Sequence, residues 1–196
     1  MSVFKTTPKK LVVGASIPLA VLASGGLVWQ SSYSAFSATT SNPTSNWSAG
    51  TVALSDDDSN TALFTANGLK PGATGTKCIA VTSTGSLAAT VKLYGTAYAT
   101  TGGLAPNINL KVEEGTGATT ASCTGFTGAA TLYDGAMSTF GTTKTSFATG
   151  VSSWAPTGTV SETKAYRFTY ALSASTPDTA QGGTAAIGFT WESQNS

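Results

Sequence analysis

The sequence predicts an all-β protein, a jelly-roll-like antiparallel β-sandwich, and three observations carry that prediction. Thr, Ser and Gly supply 35, 24 and 22 of the 196 residues, while charged residues make up only 10%. A typical soluble domain carries roughly 25% charge, and β-branched residues favour the pleated, half-buried surface of a sheet. Short runs that alternate apolar and polar side chains recur along the chain, the period of a strand with one buried face. Glycine and proline mark the breaks between them.

Each element follows from its local pattern. Residues 50–54 (GTVAL) and 61–66 (TALFTA) read as short strands on either side of an acidic turn at 56–60. The series Lys70-Pro71-Gly72 is a turn, because proline presets φ and the glycine behind it accepts a positive φ. Residues 77–82 (KCIAVT) and 87–94 (LAATVKLY) alternate, the second with Leu87, Ala89, Val91 and Leu93 on one face. Residues 108–112 (INLKV) form a strand that Glu113 and Glu114 end as an exposed tip. Residues 123–135 hold strand-like pieces between glycines, and residues 134–145 fit either a short helical turn or a long loop. In residues 165–171 (AYRFTYA), Tyr166, Phe168 and Tyr170 share a face opposite Arg167 and Thr169; residues 184–192 (TAAIGFTWE) close the sheet. About eight or nine short strands at this spacing describe a sandwich or jelly roll.

The chain divides into three parts. Residues 1–35 have the layout of a secretory signal: Lys5, Lys9 and Lys10 precede an uncharged run over 11–29, followed by small residues. Cleavage after Ser34 or after Ala35 both fit; an uncleaved anchor over 11–29 is the alternative, since that run is just long enough to span a bilayer. Residues 36–49 (FSATTSNPTSNWSA) are polar and cannot bury much by themselves, so they are a loose N-terminus or an extended arm. Residues 50–196 form the β-sandwich domain. Because three of the ten basic residues belong to the signal, the exported part carries seven against nine acidic ones, a net charge of −2. That balance offers nothing to nucleic acid. Both cysteines, Cys78 and Cys123, lie in the exported part, where an even count favours one disulfide.

Catalytic chemistry finds little support. There is no histidine in the chain, so histidine-based triads and histidine-ligated metal sites are excluded. One S-x-x-K spacing occurs at Ser161 to Lys164 without the companion motifs of a Ser–Lys enzyme. Asp56, Asp57 and Asp58 are candidate calcium ligands, since hard oxygen donors suit that ion, but the run lacks the glycine and distal glutamate of a calcium loop. No cofactor and no other metal site is expected. Asn46-Trp47-Ser48 matches the N-glycosylation pattern.

The order of several short motifs resembles a known family. These are Gly25-Gly26-Leu27-Val28-Trp29, Tyr33-Ser34-Ala35-Phe36, Trp47-Ser48-Ala49-Gly50-Thr51-Val52-Ala53-Leu54, Gly68-Leu69-Lys70-Pro71-Gly72, and Thr84-Gly85-Ser86-Leu87. Over residues 22–94 the chain is similar to the TasA/camelysin family of secreted bacterial proteins, the subunits of biofilm-matrix fibres. The resemblance implies a jelly-roll-like sandwich, processing by a signal peptidase that leaves Phe36 at the N-terminus, and a location in the extracellular matrix or on the cell surface. It also implies head-to-tail filaments of identical subunits, in which the N-terminal segment of one adds a strand to the next. Phe36, Ala38, Thr40, Asn42 and Trp47 are the polymerisation-arm residues on that reading, and membrane contact is limited to residues 11–29 before processing. The cysteine pair departs from the family pattern. Camelysin-like members have been described as metallopeptidases, an activity this histidine-free chain is not expected to share. A monomeric, membrane-anchored surface or adhesin module with the same fold is the competing expectation.

Overall fold

In the computed structural model of the chain, the described residues are 37–39, 51–59, 61–152 and 154–195. The export segment (1–35), the arm residues Phe36, Thr40, Asn42 and Trp47, and the Asn46 acceptor lie outside them; Ala38 is described by its backbone pairing alone. No helix among the described residues is long and apolar enough to cross a membrane.

Among the described residues, eight strands form two antiparallel sheets. They are β1 (Ser37–Thr39), β2 (Leu54–Asp56), β3 (Thr74–Ser83), β4 (Ala89–Thr100), β5 (Ile108–Thr116), β6 (Thr127–Ala136), β7 (Glu162–Leu172) and β8 (Ala185–Asn195). One sheet has the order β1-β8-β4 and the other β2-β3-β7-β5-β6. Every named pair of strands is antiparallel. Among the described residues one α-helix, α1 (Met137–Thr143), follows β6.

The alternation in the sequence sets the two faces. On β3, Ile79 and Val81 turn inward; on β7, Tyr166 and Phe168 do; on β4, Val91 and Leu93 do, and all six are fully buried. With Leu110, Val112, Trp154 and Trp191 they form one cluster drawn from both sheets, so the sheets pack face to face. The outward positions carry threonine pairs instead: Thr76 beside Thr169 at 3.2 Å and Thr82 beside Thr163 at 2.9 Å. Cross-strand pairs of this kind stabilise a sheet by roughly 0.2–1 kcal/mol each, which explains how so light and uncharged a chain sustains long strands. Phe168 sits at the centre, its ring 4.5 Å from Phe189 and 6.0 Å edge-on to Trp191. Phe168→Ala is expected to lower unfolding free energy by about 3–5 kcal/mol, measured by urea titration; a loss under about 1 kcal/mol would refute a core shared by the two sheets.

The turn at Lys70-Pro71-Gly72 forms as its residues require. Ala73 N donates to Lys70 O at 2.9 Å, and Gly72 has φ +84°. The helix was one of two alternatives for its segment. Its sequence, MSTFGTT, has weak intrinsic preference, and burial of Phe140 against Tyr133 holds it in place. Two strand expectations are corrected. Of residues 50–54 only Leu54 enters β2, because residues 51–53 follow the turn after β3 through Thr84 N to Ala53 O and Ser86 N to Thr51 O. Residues 61–66 are not a strand at all but an irregular segment. Leu63 and Phe64 are adjacent, not alternating, and both pack against the main core.

Cys78 and Cys123 are joined in a disulfide, with Cα atoms 5.3 Å apart and a sequence separation of 45. Cys78 lies on the outer face of β3, so the bond ties the loop after β5 back across the five-stranded sheet. Ala118, Phe126 and Ala165 pack around it.

Candidate functional site

The strand edges of a sheet are its sites for pairing with other chains. This protein treats its edges unequally. The outer edge of β4 is covered by its own chain: Ala89 N donates to Pro156 O, Val91 N to Trp154 O, Leu93 N to Val151 O and Gly95 N to Lys144 O. On the opposite side of that sheet, β1 pairs with β8 over three residues only, Ser37 with Gln194, Ala38 with Ser193 and Thr39 with Glu192. Among the described residues, no strand pairs with the same edge of β8 over 185–191.

Beside that open stretch runs an apolar groove of about 580 Å³. Its floor includes Leu110 of β5, Tyr170 of β7, and Ile187, Phe189 and Trp191 of β8. Residues 185–189 all contribute, inward and outward neighbours alike, so the opening follows the edge of the strand. The irregular segment at 61–69 forms the roof through Leu63, Phe64 and Leu69. Phe64 meets Tyr170 edge-on at 5.2 Å. Among the described residues, no backbone hydrogen bond joins residues 62–69 to either sheet.

The roof is anchored by the acidic run. Asp57 accepts hydrogen bonds from Ala80 N and Thr120 N, both at 2.8 Å, and from the Thr120 hydroxyl. Burial raises the Asp57 pKa, but these bonds outweigh it and hold the carboxyl below its ordinary value. Asp56 behaves oppositely: burial, then a hydrogen bond to Asp58 and the neighbouring negative charges, push it up to about 6. Asp58 borders the groove. Asp57 therefore turns to Ala80 and Thr120, while the Asp56 and Asp58 side chains interact with each other. Among the described residues no group of three or more His, Cys, Asp and Glu side chains is placed to hold a metal ion.

The pH consequence follows from the signs. A raised carboxylate pKa means the folded protein holds a proton that the unfolded chain releases first, so stability falls as pH rises from 3.8 to about 6. The lowered Asp57 contributes stability that is lost as pH falls below 3.8. Asp56→Asn is expected to flatten the melting temperature between pH 4 and pH 6, while Asp57→Asn lowers it at neutral pH; an unchanged pH profile in Asp56→Asn would contradict this assignment.

The other sequence candidates are placed as follows. Glu113 and Glu114 are not an exposed tip. Glu113 bridges Arg167 at 2.8 Å and Lys111 at 3.0 Å, and the Arg167 contact holds its pKa down. The guanidinium of Arg167 also lies 4.5 Å from the ring centre of Phe126. Glu114 is buried, accepts from the Ser152 hydroxyl, and lies 3.8 Å from Lys164. Apart from Lys111 on the same strand, their partners come from β7 and the segment before it, which local sequence could not reveal. Lys164 is thus engaged with Glu114, while Ser161 is exposed. Trp154 and Trp191 both lie in the core. Sequence reasoning missed the groove and its roof; the consecutive Leu63 and Phe64, which break a period of two, were the available signal.

No protein-family model matches the chain, and a comparison with curated proteins finds no match either.

Proposed function

We propose that this protein is a structural subunit of an extracellular filament or biofilm-matrix fibre, in which the N-terminal arm of one copy adds as a strand to the sheet of the next. We read its two-sheet fold as jelly-roll-like, residues 1–35 as an export signal removed by a signal peptidase, and residues 36–49 as the arm.

One observation carries the reading: Ser37–Thr39 pair antiparallel with the end of β8, and among the described residues no strand pairs with the remainder of that edge. A segment that already forms ladder hydrogen bonds with β8 is chemically suited to form them with another copy's β8. Strand addition gains affinity from main-chain hydrogen bonds and needs no catalytic group. Arm and edge are different surfaces, so the contact is head-to-tail and propagates instead of closing. The arm has no charged residue to oppose stacking. Pro43 lacks an N–H and must face away from the ladder or lie where no bond is needed.

The test is sedimentation of the processed protein with a lysine placed on the open edge, Ala186→Lys. Ala186 is exposed, so the fold tolerates the change. The expected result is a shift from rapidly sedimenting polymer to monomer with an unchanged circular-dichroism spectrum. Polymer formation at the parent level would count against addition at this edge.

A further inference from the structure

The geometry points to a self-processing site at Ser152: its hydroxyl attacks the carbonyl of Val151, Glu114 acts as the base, and the chain is cut between Val151 and Ser152. The inference stands apart from the filament reading and rests on other residues.

Strain, a clamp and a base meet at this position. Ser152 has φ +82°, a conformation that persists in a residue with a side chain only where its surroundings enforce it. Of the described non-glycine residues with positive φ, Ser59 and Ala97 are exposed and Ser152 is buried. The backbone is held on both sides of it. Val151 exchanges two backbone hydrogen bonds with Leu93, each 2.8 Å, and Lys92 Nζ donates to Ser152 O at 2.6 Å. The Ser152 hydroxyl donates to Glu114 Oε2, and Trp154 N donates to Ser152 Oγ at 3.2 Å. The other Glu114 oxygen faces Lys164 Nζ at 3.8 Å, which leaves Oε2 for the serine.

A serine becomes a nucleophile when an adjacent base takes its proton. Ser152 and Glu114 are each only 7% exposed, so no outside substrate reaches this hydroxyl. Its electrophile must come from the chain itself. Covalent geometry keeps the carbonyl carbon of the preceding residue within reach, because attack closes a small ring through Cβ, Cα and N. Leu93 N–H already bonds to the Val151 oxygen, where negative charge develops during the attack.

The steps balance. Ser152 Oγ passes its proton to Glu114 and forms a bond to the Val151 carbonyl carbon. Glu114 returns the proton to the Ser152 nitrogen as the Val151–Ser152 carbon–nitrogen bond breaks. Val151 is then an ester on Ser152 Oγ, and Ser152 carries a free amine. Water hydrolyses the ester, leaving a carboxylate on Val151 and restoring the hydroxyl. The cut lies before β7 and β8, whose Tyr166, Phe168 and Trp191 belong to the shared core, so the two pieces stay assembled.

The test is mass spectrometry of the purified protein after incubation in its folded state at neutral pH. The expected result is one fragment ending at Val151 and one beginning at Ser152, with masses that sum to the intact chain plus one water. Hydroxylamine, which attacks esters, raises the yield and leaves a hydroxamate on Val151. Ser152→Gly accepts the same φ without strain, so it keeps the fold and loses the cut entirely. Glu114→Gln with an unchanged circular-dichroism spectrum slows the cut by roughly 10²-fold or more, the usual contribution of a positioned base. An intact parent chain without hydroxamate, a cut at another bond, or parent-rate cutting in Ser152→Gly overturns the proposal. Parent-rate cutting in urea, where neither clamp nor base is in place, overturns it as well. Parent-rate cutting in folded Glu114→Gln overturns the assignment of the base.

Discussion

Protein lacking residues 36–49 is expected to remain folded and to form no polymer, while protein beginning at Phe36 polymerises. The difference in effect size follows from where the arm's contacts lie. The buried cluster that joins the two sheets draws on β3, β4, β5, β7, β8, α1 and the segment before β7. The arm's described contribution to the fold is three residues paired at one end of β8. Losing the few ladder bonds there costs about 1–3 kcal/mol, since a typical hydrogen bond contributes roughly 0.5–1.5 kcal/mol. The same deletion removes the whole donor of the proposed contact, so polymer is lost outright. Sedimentation and thermal melting on one preparation separate the two effects. Undiminished polymer from the deleted protein would sink the donor role of the arm.

Replacing both cysteines, Cys78→Ala with Cys123→Ala, is expected to destabilise the fold by about 2–4 kcal/mol, the range for closing a loop of this order of length. For a domain of this size that corresponds to a fall in melting temperature of roughly 5–15 °C. The bond joins positions separated by 45 in sequence and ties the loop after β5 to β3. Phe126 under Arg167 and Thr120 on Asp57 depend on that loop, so its release weakens both contacts. Calorimetry of the oxidised, reduced and substituted forms checks this. Coincident melting curves would show that the loop is held by its side-chain contacts alone.

Much of the fold was legible because its strands obey simple alternation. In residues 165–171 every second side chain is aromatic, and β7 places Tyr166 and Phe168 in the core and Arg167 outside. Residues 89–94 and 108–112 behaved the same way in β4 and β5, whereas Leu87 and Ala88, expected in the first of these strands, precede it. The cysteine pairing was legible because only two cysteines exist. What was illegible depends on partners far along the chain. Glu114 looked like a strand end, yet Lys164 and Ser152 hold it in the interior. Residues 61–66 had the composition of a strand, but no paired position takes them up and their apolar side chains roof the space between the sheets. Within the acidic run, Asp57 turns to β3 and to Thr120, partners that its neighbours in sequence do not show. In each case tertiary packing overrides a correct local tendency. The stretch of β8 edge that no described strand covers could not be read at all, because an edge is set by which strands fail to pair with it.

Electron microscopy of the purified, processed protein, with its N-terminal residue determined on the same sample, tests the filament reading most directly. The account predicts chains that begin at Phe36 and assemble into regular filaments one subunit after another. Discrete monomers from protein that demonstrably begins at Phe36 would contradict it.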